Sequence, residues 1–294
     1  MGAVRIVNGA ANLRRFADLC QKNPESDRQA LLRQGFVLTD GDVETLTDSG
    51  VFDMHADGNL LMEQHQRLAA VDLERVAAER LCTLSDEYGV PQTLEVSLFP
   101  LTEPDWMQAQ GFGGAHRYVT LEGHLHLFVK PGPVLPPALT STATHEFHHF
   151  WRMALIGGLP ATVSLVEIVV YEGLAEHFVH ETLGADSVGE WARYLTDGEV
   201  DALRPVFDAV WDVTDDATRN EYLLGSFAAH PERWQDYMPY QSAKEITKLS
   251  DGSMFIPLWA GYSLGYHLVR RYHERHPDLS LSELTGLPSR VFLT

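Results

Sequence analysis

The sequence predicts an α+β fold in which a small mixed sheet is followed by a mostly helical C-terminal half. Residues 93–99 (TLEVSLF) alternate in hydrophobicity and are rich in β-branched and aromatic residues, as strands are. Residues 117–130 (RYVTLEGHLHLFVK) share this character and indicate two strands about Gly123. Apolar residues at helical spacing then fill three later segments, 139–155, 163–183 and 257–276.

The residues before the sheet are predicted to be largely helical. Helical spacing of apolar positions indicates two short helices between residues 10 and 34 and one long helix over residues 60–88. Residues 35–58 mix Gly, Asp and Thr with single apolar residues and predict an irregular connection. We therefore expect an N-terminal helical region over residues 1–89 and a second domain over 90–294. The two can form one compact unit because no low-complexity linker separates them.

The composition is that of an ordinary globular protein, with 45% hydrophobic and 21% charged residues among 294. The formal net charge of −19, with no cluster of Lys and Arg to offset it, disfavours nucleic acids and anionic membranes as partners. No stretch approaches the roughly 20 apolar residues that span a bilayer, and the N-terminus lacks the apolar core of a secretory signal. We therefore expect a cytoplasmic protein. Cys20 and Cys82 are too few for a disulfide framework.

The informative motif is HExxH, formed by His145, Glu146 and His149 within a predicted helix. Two histidines at i and i+4 project from one helical face and can bind one Zn²⁺ ion, while the adjacent glutamate can act as general base toward the activated water. A catalytic zinc site usually has three protein ligands and keeps a fourth position for water. The motif therefore predicts a third ligand elsewhere in the chain.

The next predicted helix supplies candidates for that ligand. Twenty-two residues separate Glu172 from His149, which leaves room for the first helix to end, turn and return across the metal. Glu167 is a rival, but it is five residues from Glu172 and so faces a different side of the same helix. A solvated acidic face is the alternative interpretation of these glutamates.

Glu176 shares one helical face with Glu172, because the two are one turn apart. One carboxylate can bind zinc while the other, which we assign to Glu176, accepts the free ring N–H of a ligand histidine. Gly173 and Ala175 are small, which favours close approach of this helix to a neighbour.

The pairing of HExxH with a downstream EGLAE resembles the Glu-zincin metallopeptidases. More closely, the segments TATHEFHHFWR, YEGLAEHF and PLWAGYSLGYHLV resemble the YjaZ-like family of predicted zinc-dependent proteases, over roughly residues 90–275. The resemblance implies a zincin-like fold with an edge strand beside the HExxH helix. It also implies that the first Glu of the second motif, Glu172, is the third zinc ligand.

These features predict hydrolysis of peptide bonds by a zinc-activated water, with Glu146 moving the proton. The developing oxyanion needs a further donor. Zincins of this type often take it from the C-terminal half, where Tyr262, Tyr266 and His267 are candidates and Tyr262 is favoured. Packing of these aromatic side chains into the core is the alternative interpretation.

The substrate is expected to be an extended peptide. We interpret residues 123–129 as an edge strand whose unpaired backbone binds it, with Gly123, His124, Leu125 and His126 as contacts. His124 and His126 alternate along this strand and are interpreted as rim or packing residues rather than metal ligands. Two alternatives remain: the protein is a zinc-binding protein with a peptide-sequestering or regulatory role, or it is a metal hydrolase that acts on a non-peptide amide.

Overall fold

The structure, a computed structural model, describes residues 4–7, 9–36, 55–69, 73–90, 93–100, 115–119, 124–129 and 136–294. It divides into two compact units, Met1–Phe150 and Trp151–Thr294. This division lies within the helix that carries HExxH, and the boundary at 89/90 expected from the sequence stays a prediction. Much of the expected irregular connection over residues 35–58 lies outside the described residues.

The first unit contains the sheet and five helices among its described residues. In chain order these are β1 (Val4–Val7), α1 (Gly9–Lys22), α2 (Arg28–Phe36), α3 (Gly58–Ala69), α4 (Leu73–Tyr88), β2 (Leu94–Pro100), β3 (Ala115–Val119), β4 (His124–Val129) and α5 (Pro136–Ile156), which continues into the second unit.

The predicted small mixed sheet is confirmed, with strand order β1-β2-β4-β3. Strands β1, β2 and β4 run parallel, and β3 is antiparallel to β4. The first strand, β1, is not among the sequence predictions. It pairs with β2 from Val4 opposite Leu94 onward, so the N-terminal region contributes directly to the sheet.

The edge-strand prediction for residues 123–129 is wrong. Strand β4 lies inside the sheet, where His126 faces Ser97 of β2 on one side and Tyr118 of β3 on the other. Both rows of backbone hydrogen-bonding groups on β4 are therefore used within the sheet. Among the described strands of this sheet, β1 and β3 have one neighbour each.

The helices of the first unit pack on one another and on this sheet. Phe16 of α1 lies 6.2 Å from Phe36 of α2, ring centre to ring centre, and both are buried. Helix α1 also contacts α3 and β2, and α4 contacts β1. Within the long helix predicted over residues 60–88, the structure describes α3 and α4, and residues 70–72 between them lie outside the described part.

The second unit is built mostly from helices. Its main elements are α6 (Leu165–Leu183), α7 (Asp197–Asp208), α8 (Asp216–Leu224), α9 (Ser226–Ala229), α10 (Trp234–Tyr237), β5 (Thr247–Lys248), β6 (Met254–Phe255), α11 (Ala260–Arg275) and α12 (Leu281–Gly286). Among the described helices of both units, none is long and apolar enough to cross a membrane.

Helices α6 and α11 form the centre of this unit and cross at two glycines. A Cβ atom built on Gly173 would lie 2.2 Å from the backbone carbonyl of Gly265, so only glycine fits. This confirms the predicted close approach at Gly173. Two residues before Gly265 along α11, the hydroxyl of Ser263 donates to the Trp191 carbonyl and accepts from the Leu195 N–H, which holds the chain between α6 and α7 in place.

Candidate metal centre

The HExxH residues lie in the middle of α5, within the first unit. His145, Glu146 and His149 are 1%, 3% and 4% exposed. Burying ionisable groups costs free energy unless they are paired, hydrogen-bonded or bound to a metal. A buried cluster of this composition therefore requires a partner that compensates the lost hydration.

The two imidazoles converge on one point. The Nε2 atoms of His145 and His149 are 2.8 Å apart, and Oε1 of Glu146 lies 3.8 Å from Nε2 of His145. Two nitrogens that bind one tetrahedral zinc ion at about 2.0–2.1 Å lie about 3.3 Å apart. Movement of the rings by about half an ångström would give that spacing. The donor set of two imidazoles and a nearby carboxylate fits zinc.

The start of the HExxH segment of α5 is held in place by Arg80, which no pattern in the sequence marks. Arg80 of α4 donates from Nε to the Thr144 hydroxyl at 2.8 Å, and that hydroxyl donates to the Thr140 carbonyl at 2.7 Å. The Tyr88 ring packs 6.5 Å from that of Phe147. These contacts fix α5 on α4 immediately before and after the first ligand candidate.

Both residues of α4 are shifted in pKa by their surroundings. Burial raises the pKa of Tyr88 to about 12, and the neighbouring Glu87 adds to the effect, so the phenol stays neutral. Burial also lowers the pKa of Arg80 from its usual value. No local motif marks Arg80, which is 64 residues from Thr144 in the chain.

The other predicted ligand candidates lie on α6 of the second unit. Glu172 is half-buried there. Glu167 has a different task at the start of the helix, where its Oε2 accepts from the Ser164 backbone N–H at 2.7 Å and from the Ser164 hydroxyl at 2.9 Å. The two residues form a capping box, which satisfies donors at the helix N-terminus. Glu167 thus has a structural role that needs no metal.

Glu176 is 1% exposed and accepts hydrogen bonds through both oxygens. Its Oε2 accepts from the Gly189 N–H and its Oε1 from the Trp191 indole N–H, each at 2.8 Å. The carboxylate therefore holds the turn after α6 against this helix. Each oxygen has a second lone pair, so a further bond to a ligand histidine stays a prediction.

The three candidate oxyanion donors lie on α11 and differ in their partners. The Tyr266 hydroxyl is 2.9 Å from Nδ1 of His180. His267 contacts Asp197 through Nδ1 at 2.7 Å and the Leu195 carbonyl through Nε2 at 3.1 Å, so both its ring nitrogens are used within the second unit. Tyr262 is 8% exposed.

The residues expected to contact substrate are only partly described. Gly123 lies outside the described residues. Leu125 and His126 are buried, and the rings of His124 and His126 are 6.4 Å apart on one face of β4. These placements agree with packing roles better than with a backbone that binds a peptide.

Comparison with known proteins identifies relatives of this chain. YjfC, an uncharacterized protein of Bacillus subtilis (strain 168), is 27% identical over 198 residues, which cover 66% of this chain and 58% of YjfC. YjaZ, an uncharacterized protein of the same organism, is 23% identical over 156 residues, which cover 53% of this chain and 50% of YjaZ. The matches therefore span somewhat more than half of the first relative and half of the second. No solved structure matches.

A family model described as a predicted Zn-dependent protease (DUF2268) matches residues 75–294. This match includes the HExxH motif of α5, the EGLAE segment of α6 and the whole second unit. It also includes most of α4, whose Arg80 holds Thr144. The chain belongs to this YjaZ-like family of predicted zinc-dependent proteases.

Proposed function

We propose that this protein is a zinc-dependent peptidase of zincin type, in which His145 and His149 bind the metal and Glu146 is the general base. The observation that carries the proposal is the convergence of the two Nε2 atoms, 2.8 Å apart, in a buried cluster that contains one carboxylate. The family match over residues 75–294 supports the same assignment.

The side chains around the proposed metal position suit the hydrolysis of a peptide bond. Zinc, when bound, lowers the pKa of a coordinated water and polarises the scissile carbonyl. Glu146 lies beside the imidazole pair, with its Oε1 3.8 Å from Nε2 of His145. Its carboxylate can take a proton from the attacking water and pass it to the leaving amine.

We assign the third ligand to Glu172. The alternative, Glu167, is engaged in the capping box with Ser164, so its removal should affect the start of α6 rather than the metal. Glu172 is half-buried and lies one residue before the glycine that brings α6 against α11. Glu176 is assigned the supporting role of accepting a ligand imidazole N–H.

Tyr262 is the proposed donor to the oxyanion. The other two candidates form hydrogen bonds within the second unit, Tyr266 with His180 and His267 with Asp197 and the Leu195 carbonyl. An extended peptide that binds by strand addition needs a strand with an unpaired side. We therefore transfer the substrate-pairing role from β4 to β3, which has one neighbour among the described strands.

The test of this function combines zinc analysis with a diverse peptide library whose products are identified by mass spectrometry. We expect the wild-type protein to cleave peptides. Glu146→Gln should keep its zinc and lose about 10²–10⁴-fold in rate, because proton transfer alone is removed. A Glu146→Gln protein with wild-type turnover, or a zinc-loaded wild type that cleaves no peptide, would refute the peptidase assignment.

The third ligand is tested by a matched pair of variants on one helix. Glu172→Gln should lower the zinc content by one equivalent. Glu167→Gln should leave it unchanged, since glutamine still forms a capping box with Ser164. The opposite result would move the ligand role to Glu167.

A further inference from the structure

A second cluster of metal-binding side chains lies near the C-terminal ends of α6 and α11, outside the HExxH motif. His177, His180 and Glu181 come from the last turns of α6, and one potential ligand atom from each lies within 4.8 Å of the others. His273 of α11 adds another imidazole, because its Nδ1 is 2.8 Å from Nε2 of His177. The cluster offers three ring nitrogens and a carboxylate, which are ligand types of zinc.

The spacing in this cluster equals that of the HExxH motif. The contact of 2.8 Å between His177 and His273 has the same length as the contact between the two HExxH imidazoles. Oε1 of Glu181 is 3.8 Å from Nε2 of His177, which equals the distance between Oε1 of Glu146 and Nε2 of His145. A tetrahedral ion again requires an opening of the histidine pair by only about half an ångström.

Hydrogen bonds at the outer nitrogens prepare two of the imidazoles for a metal. Nε2 of His273 is 3.0 Å from the Leu279 carbonyl, and since a carbonyl only accepts, Nε2 must carry the hydrogen. The lone pair of the neutral ring is then on Nδ1, which faces His177. Nδ1 of His180 contacts the Tyr266 hydroxyl at 2.9 Å. Ligand imidazoles nearly always have such a partner on their second nitrogen.

The exposure of the cluster also suits an ion. Glu181 is 37% exposed and provides a path by which an ion can enter from solvent.

We propose that His177, His273 and Glu181, with His180 as a fourth donor, form a second zinc site that cross-links α6 to α11. An ion held there by four protein ligands is structural, because no position is left for a reacting water. It would hold together the two helices that cross at Gly173 and would therefore stabilise the second unit. The proposal does not depend on the peptidase activity.

The experiment counts zinc in full-length protein from which the HExxH ligands have been removed. The His145→Ala/His149→Ala protein is dialysed against zinc with a weak chelator that strips isolated surface histidines, and its metal content is measured. We expect one equivalent to remain bound. The Tm of the same protein should rise by about 5 °C when zinc is present at about 100 times its Kd.

Three further substitutions in this background locate the ion. His273→Gln and Glu181→Gln should each remove the remaining equivalent or weaken it at least about 10-fold, since each deletes a proposed ligand. His276→Gln is the matched control, because this exposed histidine at the end of α11 instead contacts Tyr272 and should not affect the ion. Glu181 is partly exposed, so its substitution is expected to leave the circular dichroism spectrum unchanged.

Two results would overturn the proposal. One is that the protein without His145 and His149 binds no zinc under these conditions. The other is that the zinc ion left in this protein keeps its affinity in both His273→Gln and Glu181→Gln, or that the control His276→Gln loses zinc as much as these two variants do. Neither result bears on the HExxH site, whose zinc and activity are measured separately in the wild-type background.

Discussion

Replacing Gly173 with alanine tests the backbone crossing at the centre of the second unit. The added Cβ would lie 2.2 Å from both the carbonyl carbon and the carbonyl oxygen of Gly265 on α11. These are backbone atoms, so no side chain can rotate away to relieve the overlap. The crossing is tight from both sides, because a Cβ on Gly265 would lie 2.1 Å from the Val169 carbonyl oxygen.

The size of the effect follows from two opposing terms. To restore an ordinary contact of at least 3.4 Å, the helices must separate by about 1.2 Å along the contact. Overpacking of this kind costs about 1–3 kcal/mol, and a backbone clash belongs near the upper limit. In the opposite direction, alanine stabilises a helix by about 1 kcal/mol relative to glycine because of its higher helix propensity. The net expectation for Gly173→Ala is a loss of about 2 kcal/mol, or a fall in Tm of about 4–8 °C.

The assay is thermal and urea unfolding followed by circular dichroism, with Gly198→Ala as control. Gly198 lies in the first turn of α7, where a Cβ would have no neighbour within 4 Å. The control should be neutral or stabilised by up to about 1 kcal/mol, because only the helix-propensity term remains. If Gly173→Ala is as stable as the control, the close crossing of α6 and α11 is refuted.

Two further predictions concern carboxylates of the second unit. Glu176→Ala should lower zinc affinity about 10–100-fold and also destabilise the fold, since it leaves two buried donors unpaired. The control, Trp191→Phe, should lower stability without changing zinc affinity. If wild type, Glu176→Ala and Trp191→Phe bind zinc with equal affinity, Glu176 has no role in the metal centre. Burial would raise the pKa of Asp197, but hydrogen bonds from His267 and Arg271 outweigh it and lower that pKa from 3.8 to about 2. Because the folded-state pKa is depressed, the stabilisation is present above about pH 4 and is lost as the pH falls toward 2. The difference in Tm between wild type and Asp197→Asn should therefore shrink over that range, and a difference that does not vary with pH would contradict the ion-pair assignment.

The sequence by itself determined the features that depend on neighbours within one or two helical turns. The helix that carries HExxH is present as predicted, and the i, i+4 spacing is enough to bring the Nε2 atoms of His145 and His149 to 2.8 Å. The small residue Gly173 marks a helix crossing, as expected from its size. These are local consequences of helical geometry, so they can be derived without knowing what else the chain contacts.

Tertiary structure alone decided the features that join distant segments. Strand β4 is interior and not an edge because β2 pairs with it in parallel, and the hydrophobic pattern of a strand does not reveal whether one or both of its sides are hydrogen-bonded. Arg80 reaches Thr144 across 64 residues, and His177 meets His273 across 96. A side chain's own sequence context specifies which face of its helix it lies on, whereas the partner opposite that face is chosen by the packing of whole elements.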